Sequence, residues 1–443
     1  MFSIPKKPRD FLMDSSSMDD VFLAKCEQLN LKEKIDDLKV AQCDLQKFSC
    51  KEIIEFIDTL VQKFVANENK FLNRYAPLGI SFLLNFLRKQ NLERIVEVSF
   101  QGKTEYLDDF HDSSFLTKKL MVVPRGIAVH WLAGNVPILG MISFIQGLLT
   151  KNINIVKLPK ENGLVLPSLL SEFKNHTIET ANGKLTGMKI LNTVEFVYCN
   201  RDDKQSQHLL SETADVRVAW GGKEAVDSVL RLPKKYYCED IIFGPKYSFV
   251  VVAKNSLNEK NIEEVAFKLA MDASIFEQRG CNSPHTVFVE TGGEVSPIEF
   301  AKTLARGMEK ALKRIPKSKV SGAEAISIAN IRAEYMFSGE AFCSAGTEWT
   351  VLYSEEEELA KQCYSRVLFV RPISDINNVI DLINYNHQTL GVCINDGREN
   401  VFCREVAKKG ISRIVNIGKM AFFEYPWDGL FPLQKFGRWV SRD

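Results

Sequence analysis

Hydrophobic and polar positions recur along this chain with two different periods, and the change of period divides it. In "SCKEIIEFIDTLVQKFVANENKFLNRYA", residues 49–76, apolar side chains return every three or four residues. That spacing lays one apolar stripe along a helix. Ser49, with Glu52 three residues on, is a helix-start signature. "PLGISFLLNFLRKQNLERIV" continues in the same vein, so the chain to about Leu120 reads as mostly helical. From Val122 short apolar runs take over. "GIAVHWL" predicts a buried strand. "VPILGMISFIQGLLTK" predicts a helix with Pro137 in its first turn, where a missing N–H costs little. "NINIVKLP" predicts the next strand. Strand, helix and strand within residues 126–159 make a βαβ unit with parallel strands.

The alternation continues through "KILNTVEFVYC" (strand), "SQHLLSE" (helix), "ADVRVAW" (strand) and "KEAVDSVLRL" (helix). A second series starts near Ser248. Its strands are "SFVVVAK", "HTVFVE", "RVLFVRPI", "TLGVCIN" and "SRIVNI"; its helices are "IEEVAFKLAMDASIF", "SPIEFAKTLARGMEKALKRI", "INNVIDLINYN" and "NVFCREVAKKG". The expected class is α/β with two open sheets. Residues 1–247 hold a helical region and a dinucleotide-binding type of sheet. Residues 248–420 hold a second α/β domain, and the aromatic segment 421–443 packs on the first domain or on a neighbouring subunit.

Composition narrows the function classes. There are 57 Lys and Arg against 56 Asp and Glu, a net charge of +1, so no strong field draws in nucleic acid or an anionic membrane. The ten cysteines form no C-x-x-C and no zinc spacing with histidine, which argues against a metal site and for free thiols in a reducing cytoplasm. "MFSIPKKPRDFLMDSSS" lacks the apolar core of a signal peptide. Gly126 to Thr150 carries no charged residue, long enough for a membrane span, but "AGNVP" interrupts it, so a strand, turn and helix are expected there. The 29 phenylalanines suit an aromatic core or a greasy substrate.

Several residues could carry chemistry. Asn135 falls in the turn after a buried strand, where an amide can donate to a developing oxyanion or merely satisfy the turn. Lys157 ends the next strand and suits a phosphate or ribose hydroxyl, or simply faces solvent. Gly221 and Gly222 form either a pyrophosphate-binding turn or an ordinary tight βα turn. Cys281 follows a helix and precedes a strand. Gly280 before it allows an unusual backbone angle that would turn the thiol into a cleft, although most lone cysteines are inert. His285, four residues on, would suggest a Cys–His pair on a helix, but Pro284 argues against a helix there and a strand starting at His285 points the ring elsewhere.

Together, "PRGIAVHWLAGNVP", "NIVKLPKEN", "AWGG", "FGPKYS", "GCNSP", "LINYNHQTLGV" and "GISRIVN", in that order, resemble the aldehyde dehydrogenase superfamily. "HWLAGNVP" and "PWDGLFPLQKFGRW" resemble more closely the LuxC-type long-chain acyl-CoA reductases, the fatty-acid reductases of bacterial luminescence. The resemblance spans about residues 120–443. It implies that Cys281 is the catalytic thiol and Asn135 the oxyanion-hole amide. It puts Lys157 at the adenosine ribose and Gly221 and Gly222 at the pyrophosphate, where many relatives have Gly-Ser. Lys160 tilts the cofactor toward NADPH. Relatives that oxidise aldehydes carry a glutamate where this chain has Ile242, and another near the nicotinamide ribose where it has Gln362. The first absence suits reduction of an acyl thioester, which needs no activated water; Glu239 and Asp240 lie close enough in sequence to substitute. The implied activity is reduction of long-chain fatty acyl-CoA or acyl-protein to aldehyde. The implied partners are an acyl-protein synthetase and further copies of the chain. The alternatives are an aldehyde-oxidising dehydrogenase, a redox-inactive acyl carrier, and a cysteine acyltransferase or thioesterase using His285.

Overall fold

The computed structural model describes residues 31–66, 75 and 78–443, and these form two compact units: residues up to Gly244 together with Phe423–Asp443, and Pro245–Phe422. The N-terminal stretch read for a signal peptide, and the end of the first expected helix, lie outside the described residues.

In the first unit the amphipathic stripe becomes α1, Cys50–Ala66, which buries Ile53, Ile54, Phe56, Ile57, Leu60 and Val61. Ser49 and Glu52 exchange the two expected capping bonds, Ser49 N to Glu52 Oε2 at 2.7 Å and Glu52 N to Ser49 Oγ at 3.2 Å. A short pair, β1 (His111–Asp112) and β2 (Lys119–Pro124), precedes the main sheet. The uncharged segment resolves into β3 (Ile127–Trp131) and α2 (Leu139–Leu149). Pro137 lies in the turn two residues before α2 rather than inside its first turn. Among the described residues no helix is long and apolar enough to cross a membrane. The remaining strands are β4 (Ile153–Lys157), the hairpin β5 (Thr177–Thr180) and β6 (Gly183–Thr186), β7 (Val194–Val197), β8 (Val216–Trp220) and β9 (Glu239–Phe243). The main sheet runs β7-β4-β3-β8-β9, all parallel. The helix α3, Lys223–Leu230, follows β8. Only the second half of "KILNTVEFVYC" is a strand; the first half belongs to a helical turn, Gly187–Leu191. There the Thr186 side chain accepts from Lys189 N, and a Cβ on Gly187 would lie 1.7 Å from Phe173 O.

The second unit opens with β10 (Tyr247–Val252), α4 (Ile262–Ser274) and β11 (Pro284–Glu290), then α5 (Pro297–Arg314) and α6 (Gly322–Ser338). It continues through β12 (Glu340–Cys343), β13 (Thr350–Tyr353), β14 (Val367–Ile373), β15 (His387–Cys393) and β16 (Arg413–Asn416). Its seven-stranded sheet has the order β12-β13-β14-β11-β10-β15-β16, parallel except for the β12–β13 pair. The central strands are buried on both faces, which explains their unbroken apolar runs. "INNVIDLINYN" forms a 3₁₀ segment, Ile376–Leu382, rather than an α-helix.

The chain then returns to the first unit. β17 (Gly437–Arg442) pairs antiparallel with β2, and Trp427 packs edge-on against Phe86, Trp220 and Phe243 at centroid distances of 6.4, 6.0 and 6.5 Å.

Candidate active site

The candidate residues of the first unit gather where its parallel strands end. Asn135 is exposed, in the loop from β3 to α2. That loop is pinned to the one after β4. Asn162 donates to Gly134 O at 2.9 Å, and a Cβ on Gly134 would meet Glu161 O at 2.5 Å, so only glycine fits. Lys157 closes β4 beside Trp131 in register. It is half-buried; its carbonyl accepts from Leu132 N at 3.3 Å, but its ammonium makes no hydrogen bond or ion pair among the described residues. Burial holds its ammonium below the ordinary lysine range, offset in part by the nearby Cys199. A desolvated cation without a counter-charge invites an anion or a hydroxyl-rich ligand. Lys160 is exposed three residues beyond the end of β4. Gly221 adopts φ 155°, which L side chains avoid, and Gly222 caps the N-terminus of α3 with open space where its Cβ would stand. The first N–H groups of α3 therefore lie open to an approaching phosphate. These features fit a dinucleotide.

Glu239 and Asp240, left open by their sequence position as substitutes for the missing glutamate, do not reach this edge. They begin β9, opposite Val216 and Arg217, whereas the strand ends opposite Trp220. Three or four residues of strand put them roughly 10–13 Å from that end. Both are also engaged. Asp240 binds Arg217 bidentately at 2.7 and 3.0 Å and Lys234 at 2.7 Å; Glu239 binds Arg125 at 3.1 Å. Burial works to raise the Asp240 pKa, but Arg217 and Lys234 hold the carboxyl below its ordinary range. Ile242, one residue from the end, leaves an aliphatic side chain there.

In the second unit the candidates gather where strands begin. Cys281 is half-buried, just ahead of β11. The chain arrives there through three consecutive left-handed residues, Phe276, Glu277 and Gln278, at φ 53°, 53° and 62°. Gly280 is not among the residues with positive φ. Its role is space, not an unusual angle: a Cβ would lie 2.6 Å from Asn282 Oδ1 and 3.1 Å from Ser283 Oγ. The left-handed run is costly for non-glycine residues, and specific bonds hold it. The Glu277 carboxylate takes two bonds from the buried Arg366, at 2.8 and 2.9 Å. Gln278 donates to Pro284 O at 2.6 Å and Val367 O at 2.8 Å and accepts from Val367 N at 2.9 Å. Beyond the thiol, Asn282 Nδ2 donates to Met420 O at 2.7 Å, and Ser248 Oγ donates to Cys281 O at 2.7 Å.

His285 sits in β11 between the rings of Tyr247 and Tyr364, at 5.3 and 5.5 Å. Both ring nitrogens are buried without a hydrogen-bond partner among the described residues, and burial pushes the pKa down to about 3. A neutral, apolar-walled imidazole is no base for a thiol, which removes the support for a Cys–His hydrolase. Gln362 precedes β14 with its amide engaged at both ends: it donates to Lys246 O at 3.3 Å and accepts from the Tyr364 hydroxyl at 3.0 Å. Among the described residues no cluster of His, Cys, Asp and Glu could hold a metal. The sequence reading missed Ser248, the left-handed run and the Glu277–Arg366 pair. All are long-range or conformational features that no local spacing announces.

Comparison with known proteins gives a consistent picture. Residues 45–439 match the family model described as acyl-CoA reductase (LuxC). A long-chain acyl-protein thioester reductase of Aliivibrio fischeri is 29% identical over 72% of this chain and 64% of its own length, so the chain spans under two thirds of that relative. Long-chain acyl-protein thioester reductase 2 of Photobacterium leiognathi is 26% identical over 90% of this chain and 83% of its own. Among solved structures, an NAD-dependent aldehyde dehydrogenase from Burkholderia multivorans superposes with TM-score 0.60 at 12% identity, over 92% of this chain and 82% of that one. The fold is that of the aldehyde dehydrogenases.

Proposed function

Because the chain belongs to the LuxC family of acyl-CoA reductases, we propose that it reduces long-chain fatty acyl thioesters to aldehydes, with NADPH, through an acyl group carried on Cys281. The observation that carries this reading is the half-buried thiol at the mouth of β11, on a backbone loop held before it by Glu277 and Gln278 and after it by Ser248 and Asn282.

In this reading the Cys281 thiolate attacks the acyl carbonyl. A C–S bond forms, and the donor thiolate, from coenzyme A or an acyl-protein, leaves with the electron pair of its own C–S bond. The Asn135 amide and the Cys281 backbone N–H stabilise the oxyanion. Lys157, Gly221 and Gly222 hold the dinucleotide, with Lys160 favouring a 2′-phosphate and Gln362 at the nicotinamide end. The reduced nicotinamide, when bound, supplies a hydride. Collapse of the resulting Cys281 thiohemiacetal breaks the new C–S bond, restores the thiolate and frees the aldehyde. A thioester accepts hydride where a carboxylate would not, which is why a sulfur nucleophile is used.

The reductive direction is supported by Ile242 and by the engagement of Glu239 and Asp240 at the other end of their strand, which leave no carboxylate of that strand to activate water. We further propose that an acyl-activating synthetase supplies the acyl group and that copies of the chain assemble through the C-terminal segment, residues 421–443. Purified protein mixed with tetradecanoyl-CoA and NADPH should release aldehyde, and NADH should serve less well. Steady release of acid from aldehyde and NADP, without coenzyme A, would instead mark an aldehyde-oxidising dehydrogenase.

A further inference from the structure

We propose that Ser248 is a positioning residue for the Cys281 thiol; the proposal rests on the reading of Cys281 as the nucleophile. Ser248 is the second residue of β10 and is fully buried. Both neighbouring strands slip as they pass it. Along β11 the register steps from Ser248↔Pro284 to Phe249↔Thr286, leaving His285 as an extra residue. Along β15 it steps from Tyr247↔His387 to Phe249↔Leu390, again one residue too many. Such bulges free backbone groups from the ladder and redirect side chains.

The Ser248 hydroxyl meets the need this creates. Its one proton goes to Cys281 O at 2.7 Å, and its oxygen accepts from Thr389 N at 3.0 Å. One side chain thus ties β15 to the carbonyl of the candidate nucleophile. Fixing that carbonyl fixes rotation about the Cα–C bond of Cys281. The peptide plane after the thiol is then set relative to its Cβ, with Asn282 held from the other side by Met420 O. Alanine at 248 would leave the carbonyl and the Thr389 N–H without this partner, both inside the protein. The thiol would sample directions that do not meet an acyl carbonyl.

The test compares wild type, Ser248→Ala, Ser248→Cys and Cys281→Ala. Acyl transfer from radioactive tetradecanoyl-CoA is measured without reductant, alongside kcat and KM for reduction, NADPH affinity by fluorescence, and thermal melting. Ser248→Ala should acylate roughly 10- to 100-fold more slowly, the size expected from a misplaced reacting group. KM and NADPH affinity should stay within about twofold, since neither ligand is bound by Ser248. Ser248→Cys, near-isosteric with a weak donor, should fall between; it carries the test if the alanine variant does not fold. Wild-type acylation rates in both Ser248 variants, or losses that only track the folded fraction, overturn the proposal while leaving Cys281 as nucleophile. Wild-type labelling of Cys281→Ala overturns the nucleophile and the proposal together.

Discussion

In the first unit the candidate residues stand where strands finish: Asn135 after β3, Lys157 closing β4, Gly221 and Gly222 after β8. In the second they stand where strands start: Cys281 ahead of β11, Gln362 ahead of β14, Ser248 at the head of β10. Both sheets are largely parallel and both are wrapped by helices, so the difference lies in what each edge offers. The end of a parallel strand leads into a helix N-terminus, with free N–H groups and a dipole that favours negative charge. That edge needs only glycines and a lysine to accept a dinucleotide phosphate. The start of a strand receives a helix C-terminus, which offers carbonyls. A thiol there has to be placed by the chain itself, and this chain uses three left-handed residues, a buried Glu277–Arg366 pair and the Ser248 and Asn282 hydrogen bonds.

The sharpest way to break this contrast is at the thiol. Cys281→Ala should lower acyl reduction by more than about 10⁴-fold, the scale seen when a nucleophile is removed, with NADPH binding by fluorescence unchanged. Next comes the opposite edge: Asn135→Ala should cost about 10²–10³-fold in kcat, the scale of one oxyanion donor, in a steady-state assay whose dinucleotide KM stays put.

A third prediction concerns the support behind Cys281. Burial pushes the Asp272 carboxyl up to about 6, despite N–H donation from Gly418, Met420 and Ala421. The Met420 carbonyl in that loop is the one Asn282 binds. Between about pH 4 and 6 the folded protein therefore holds a proton that the unfolded chain has released. Stability from this group is full below about pH 4 and is lost as pH rises through 6, by on the order of 2–3 kcal/mol. Urea melts across that range should show the slope in wild type and lose it in Asp272→Asn. The smallest effect is expected at Lys157. Lys157→Met should weaken NADPH binding by about tenfold, the worth of one charge-assisted bond, and leave acyl transfer to Cys281 at its wild-type rate.

The same contrast explains what could be read from residues alone. β3, β4, β8, β10, β11, β14 and β15 were legible because buried parallel strands are unbroken apolar runs. The strand–glycine–helix order made Gly221 and Gly222 visible. α6 was not anticipated: it buries only Ile328 and Tyr335, so its apolar positions follow no stripe, although Ser321 and Glu324 form a capping box. Gln362 stood out only through family resemblance, and local pattern marked Cys281 without separating it from an inert thiol, because nothing in "EQRGCNS" records that its first residues turn left-handed or that Arg366 closes on Glu277 from 89 positions away. Glu239 and Asp240 stayed open as substitutes for the opposite reason. They are near Ile242 in sequence, but a strand carries neighbours steadily apart, and theirs leaves them at the far end of the sheet.

The central claim is that Cys281 carries the acyl group, and peptide mapping by mass spectrometry tests it most directly. After incubation with tetradecanoyl-CoA and no reductant, one acyl group should be found on the peptide containing Cys281, and adding NADPH should discharge it as aldehyde. An acyl group on any other residue, or aldehyde formed while Cys281 stays unmodified throughout, would contradict the account.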